Sequence, residues 1–203
     1  VAPVATGSRV ANVLGGLALV AIAAGVAFVG LTARDAPPGA GGGAPAAFVA
    51  GTAGARLEEY VTGDAAGERL ERATWAKYKL MVVWPNEPAW DEAYVIRSQR
   101  IAMNPALPGA VIKAEGEVTY DTLGVLNLNT FDYETSPTRQ TVPFSLLLLE
   151  NTWKIGVPML RPHPLADPTL AYLRRMREHY VTRRPAIDAA IKAIARDAAA
   201  PAP

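Results

Sequence analysis

The sequence predicts an α+β domain carried on one membrane-spanning helix. Three observations predict it: 24 consecutive uncharged residues from Val10 to Ala33, strand-like alternation between Ala110 and Ile155, and helical spacing of apolar residues on both sides of that alternation. At 203 residues the chain is long enough for one compact domain of ordinary size plus appendages. The expected divisions are a flank over 1–9, a span over 10–33, a linker over 34–55, an α+β domain over 56–165, basic amphipathic helices over 166–199 and a tail over 200–203.

The apolar span comes first. At about 1.5 Å of helical rise per residue it can cross a hydrocarbon core of about 30 Å. A soluble helix is rarely apolar on every face for so long. It also exceeds the roughly 7–15 apolar residues of a signal peptide, so a retained anchor is expected although "LTA" before Arg34 resembles a cleavage site. Arg9 lies on one flank, while Arg34-Asp35 cancel on the other, which favours a cytoplasmic N-terminus and a domain outside a bacterial inner membrane. Ala11, Ala18 and Gly25 recur every seven residues, with Gly15 adding a further small position. Such a face lets helices approach closely in lipid. The span contains no His, Asp, Glu or Lys and so offers no strong cofactor ligand or proton relay.

The segment Asp35–Ala55 reads as a linker, rich in Gly, Pro and Ala. Phe48 and Val49 are its only adjacent bulky apolar residues and the expected point of contact with a partner. From Arg56 to Val83 the spacing is helical, with Leu57, Tyr60 and Val61 beginning one stripe, Leu70, Tyr78 and Met81 continuing it, and Asp64 placed as a possible N-cap. The prolines of "WPNEP" then end the helix.

From Ala89 the period changes. "AYVIRSQRIAM" is ambiguous, whereas "AVIKAEGEVTYD" alternates, with Ile112, Ala114, Val118 and Tyr120 on one face. "VLNLNTFDYET" reads as a shorter alternation. "TVPFSLLLLENTWKIGVPML" reads as a hairpin turning at Glu150-Asn151-Thr152, and four consecutive leucines suggest a strand covered on both faces. After "RPHPLADP", Asp167 and Pro168 signal a helix start, with Leu170, Leu173, Met176 and Tyr180 as its apolar side. Beyond Pro185, Ile187, Ile191, Ile194 and Ala198 mark another amphipathic helix.

The helix-then-strands order and "VPFSLLLLENTWKI" (Val142 to Ile155) resemble the closing hairpin of NTF2-like domains, in which a V-x-F-x-L strand leads through a short acidic turn into W-K-I. The motif covers about 14 residues and the element order about 100, and the family's usual turn glycine is missing here. The resemblance implies a curved, cone-like sheet. It implies no particular activity, since members include enzymes with an acid or a His–Asp pair inside the cone and membrane-anchored components of secretion and transport assemblies.

Composition narrows the chemistry. There is no cysteine, which excludes disulfides, thiolate nucleophiles, iron–sulfur clusters and cysteine zinc sites. Net charge is +1, so no overall field suggests nucleic acid. The charge is unevenly spread: residues 56–160 hold 10 basic and 14 acidic side chains, residues 161–203 hold 8 and 4. His163 and His179 have no carboxylate at ligand spacing, and His163 between two prolines reads as a loop residue. Glu115 and Glu117 share a strand face but read as solvated, and nothing marks Asp121, Asp132 or Tyr133 as a cone acid. No phosphate loop, nucleophile elbow or HExxH occurs, so neither catalytic, cofactor nor metal residues are expected. The strongest candidate is the cluster Arg174, Arg175, Arg177, Arg183 and Arg184, five arginines against one glutamate in 11 residues, suited to anionic headgroups or an acidic partner or simply a solvated helix face.

Taken together, these features lead to the expectation of a non-catalytic, single-span accessory subunit docked on other integral membrane subunits. An energy-transducing complex, photosynthetic or respiratory, is the first expectation and an envelope secretion or transport assembly the second. A tethered ligand-binding or enzymatic NTF2-like domain, and a headgroup-binding domain acting through the arginines, are the alternatives.

Overall fold

The computed structural model describes residue 48 and residues 51–71, 74–86, 89–105 and 112–201. The expected span and its small residues Ala11, Gly15, Ala18 and Gly25, together with Val49, lie outside them. No helix among the described residues is long and apolar enough to cross a membrane.

The fold is α+β. Helix α1 (Ala53–Ala65), a 3-10 turn (Glu68–Leu70) and the short α2 (Trp75–Lys79) precede four strands, β1 (Glu92–Met103), β2 (Lys113–Asn127), β3 (Tyr133–Leu149) and β4 (Thr152–Val157). Helices α3 (Ala166–His179) and α4 (Arg184–Ala199) follow. The strands form a curved antiparallel meander in the order β1-β2-β3-β4.

Helix α1 begins where the Thr52 hydroxyl accepts the Ala55 N–H, inside the stretch read as linker. Ala53, Leu57, Tyr60 and Val61 are buried at helical spacing, and Asp64 sits on the same stripe one turn further on. Asp64 is therefore in the last turn of α1, not at an N-cap. Helix α3 begins one residue before Asp167, with Leu165 at the N-cap position, and Pro185 opens α4 instead of interrupting a helix.

Alternation along β1 divides the apolar residues between two cores. Ile96 joins Val118, Tyr120, Val142, Phe144, Leu146 and Ile155 beneath α1, while Ala93 and Val95 join Leu123, Leu126, Leu173, Ile187 and Ile194. The C-terminal helices are thus part of the domain, covering the opposite face at one end of the sheet. The described residues leave the remainder of that face uncovered, and Glu115 and Glu117 are exposed on it.

Bulges give the sheet its bends. Register shifts between Val95 and Ser98 leave Arg97 outside the pairing, and the strand twist there aims its guanidinium at α4. It donates to the Asp197 carbonyl at 2.9 Å and to the carbonyl of Ala200, satisfying groups that α4's last turn leaves unpaired. "VLNLNT" is the end of β2 and its turn, not a separate strand. The β3–β4 turn has positive φ at both Glu150 (48°) and Asn151 (61°), the backbone twist that suits a two-residue hairpin even without glycine. The expectation for the four leucines is corrected: Leu146 is buried, Leu147 and Leu148 are half-buried and Leu149 is exposed, because none of the described helices covers the second face at this end. Ile112 is likewise exposed, lying just before β2.

Both outer edges of the sheet are partly closed by extended chain. The Val83 N–H donates to Ile155 beside β4, and the Tyr94 and Ile96 N–H groups donate to Pro162 and Pro164 beside β1.

Gly124 marks the tightest approach within the sheet. An added Cβ there would lie 2.2 Å from the Glu134 carbonyl oxygen and 2.7 Å from the Tyr133 ring. Gly124→Ala is predicted to lower the free energy of unfolding by about 1–3 kcal/mol. A urea titration reads this directly, and an unchanged midpoint would contradict the contact.

Candidate functional site

Among the described residues, the largest concentration of buried polar groups lies beneath the α1-covered face. It is built around the Asp64 carboxylate, whose residue is 2% exposed. Oδ2 accepts from Arg69 Nη1 at 3.0 Å and from the His163 backbone N–H at 3.1 Å. Arg69 also donates to the Leu160 carbonyl. A two-residue turn after α1 brings Arg69 back across the helix end, so the pair is local to one bend of chain. His163 enters from the other side, 99 residues along. Asp64 Oδ1 is buried without a hydrogen-bond partner among the described residues.

Tyrosines enclose this pair. The Arg69 guanidinium lies 5.4 Å from the Tyr60 ring and 6.0 Å from the Tyr78 ring. The His163 imidazole stacks between Tyr120 at 4.2 Å and Tyr94 at 5.2 Å. Its Nδ1 stands 2.7 Å from the Arg161 carbonyl, a contact that requires the proton on Nδ1, and 4.0 Å from Asp64 Oδ2. Burial lowers the pKa of His163 below its usual value, opposed by the Asp64 charge and the Arg161 carbonyl. Burial raises the Tyr78 and Tyr120 hydroxyls out of reach of ordinary titration, so both stay neutral.

His163 lies in a segment without regular structure, as expected of a loop residue, but its side chain is buried in the core. The stripe Leu57, Tyr60, Val61, Asp64 carried the signal that a carboxylate would be buried. No local pattern could have announced Arg69 or His163 as its partners. Asp121 bonds Ser98 and pairs with Arg139, Asp132 is exposed, and Tyr133 donates to Asp197. His179 is exposed at the end of α3. Among the described residues no group of three or more His, Asp or Glu side chains could hold a metal ion.

A cleft of about 600 Å³ lies outside the sheet, where Trp75, Trp90, Asp91, Asn129, Tyr172 and Tyr180 meet. Two of its polar contacts are internal: Asn129 donates to Asp91 at 2.7 Å, and Glu71 pairs with Arg175. Neither Asp64 nor His163 lines it.

The five arginines are all exposed and near one another, on α3 and at the turn into α4. Arg175 pairs with Glu71 and Arg177 with Asp188, while Arg184 Nε donates to the Arg177 carbonyl. The Arg174 and Arg183 side chains make no hydrogen bond or ion pair among the described residues. Phe48 is half-buried, its ring packed so closely over α1 that a Cβ on Gly54 would lie 2.5 Å from it. Comparison with known proteins finds no matching family model, no similar curated protein and no similar solved structure.

The cluster makes two predictions. Asp64→Ala removes the carboxylate that faces the buried Arg69 guanidinium and is predicted to cost about 3–5 kcal/mol, whereas an apolar replacement of both residues costs less. Chemical denaturation of the two variants separates these outcomes, and equal costs would contradict a buried ion pair at this point. Because folding lowers the pKa of His163 from 6.5, the unfolded chain takes up the proton first. The His163 contribution is fully present above about pH 6.5 and is lost as pH falls through the lowered folded value. His163→Phe, which keeps the stacking, is predicted to flatten the fall in stability on acidification; an unchanged slope would contradict it.

Proposed function

We propose that the chain is a single-span, non-catalytic accessory subunit that docks on and stabilises a larger complex in a bacterial inner membrane. Its α+β domain is of NTF2-like type and stands on the extracytoplasmic side. The observation that carries this reading is the filling of the α1-covered sheet face. An NTF2-like enzyme or binding protein uses that face as a hollow cone, whereas here Tyr60, Tyr78, Met81, Phe144, Leu146 and Ile155 occupy it, all 2% exposed or less. Asp64 and His163 do meet there, but the carboxylate is held by Arg69 and a backbone amide, and the imidazole is clamped between two tyrosines.

Two further features support the reading. Helices preceding a curved four-stranded antiparallel sheet are the element order of an NTF2-like domain. The uncharged stretch Val10–Ala33, with its recurring small residues, suits a helix that packs beside other spans. An energy-transducing assembly is the first expectation for the partner, and a secretion or transport assembly the second.

Purification of the tagged chain in a mild detergent tests the proposal. The expected result is co-migration with integral membrane subunits at a defined stoichiometry. Migration as a lone monomer from native membranes would overturn it.

A further inference from the structure

The corner between α3 and α4 combines exposed apolar surface with arginine. Tyr180 is 50% exposed and Val181 62% exposed, immediately after the last turn of α3. Tyr180 leans on Phe131 through one side of its ring, at a centroid distance of 5.5 Å, and the remainder faces outward. Arg174, Arg175 and Arg177 lie in the second half of α3 before this tip, and Arg183 and Arg184 follow it. Against them stand Glu71, Glu178 and Asp188, a local balance of five cations to three carboxylates.

The internal pairs shape the corner. Arg177 holds Asp188 across the two helices, and Arg184 closes the last turn of α3 by donating to the Arg177 carbonyl. This leaves Arg174 and Arg183 with unpaired guanidiniums among the described residues. An apolar tip set among cations matches the layered chemistry of a bilayer surface, with phosphates outermost and acyl chains beneath. An acidic protein surface would match the arginines and leave Val181 in water.

We infer that this corner is a docking surface for an anionic lipid bilayer. Val181 and the Tyr180 ring enter the headgroup layer, while Arg174 and Arg183 pair with lipid phosphates. The inference rests on the anchored reading only in that an anchored domain stays close to headgroups.

The absence of native cysteine makes the test direct. The full chain carrying Val181→Cys, labelled with a nitroxide, is reconstituted into vesicles of phosphatidylcholine alone or mixed with phosphatidylglycerol. A second chain labelled through Glu117→Cys, on the open sheet face, serves as the water-exposed reference. The expected result is a label at 181 that gains oxygen contact and loses contact with a water-soluble nickel chelate only in the anionic vesicles. Adding Arg174→Gln and Arg183→Gln, whose side chains hold no structural pair, is expected to lower the bound-to-free ratio about thirty-fold. A label at 181 as water-exposed as the reference in both kinds of vesicle overturns the inference. A chain that fails to float with phosphatidylcholine vesicles overturns the anchor alone. The corner is then read identically with the chain added to each vesicle from outside, and the same two outcomes decide it.

Discussion

The Asp64 carboxylate is the point on which the domain's closure depends. It sits at the C-terminal end of α1, where the helix dipole disfavours negative charge, and in a core from which water is excluded. Such a group persists only with a close cation and aligned donors, and Arg69 and the His163 amide supply them. The consequences run outward from there. Fixing His163 holds the segment that runs beside β1, with Pro162 and Pro164 accepting from Tyr94 and Ile96. That segment covers the sheet edge and delivers α3 to the opposite face. One ion pair therefore joins the helix that covers one face to the chain that leads to the helices covering the other.

Elements governed by local rules were legible in the sequence. Alternation through Val118 and Tyr120 identified β2, the Glu150-Asn151 turn identified the β3–β4 hairpin, and spacing of Leu170, Leu173, Ile187 and Ile194 identified the inward sides of α3 and α4. Features that need a distant partner were not. His163 reads as a loop residue, and it is one, but nothing near it in sequence announces that Tyr94 and Tyr120 bury its ring. The four leucines look doubly covered until the helices prove to stop short of them. The β1 strand is obscured by its bulge at Arg97, which breaks the period of two and whose purpose, capping α4, lies 100 residues away. The arginine cluster was visible as charge, but its division into Arg175 and Arg177 with carboxylate partners and Arg174 and Arg183 without them depends on Glu71 and Asp188.

Each side of the sheet is supplied with its own apolar core. The buried polar cluster is held by Arg69 and the His163 amide, and the cleft beside Trp90 carries the Asn129–Asp91 bond and the Arg175–Glu71 pair. On the surface, the described residues leave part of the second sheet face and the corner at Tyr180 and Val181 exposed. In the proposed reading, such a domain, held beside a bilayer, acts through what it touches.

Cross-linking within intact membranes, before any detergent is added, tests that claim most directly. The chain's lysines include Lys77 on α2, Lys113 on β2 and Lys192 on α4. An amine-reactive linker followed by mass spectrometry reports what stands against each. The account predicts recurrent cross-links from one side of the domain to the same integral membrane protein. Cross-links confined to the chain itself, under conditions that join the subunits of other complexes in the same membranes, would contradict it.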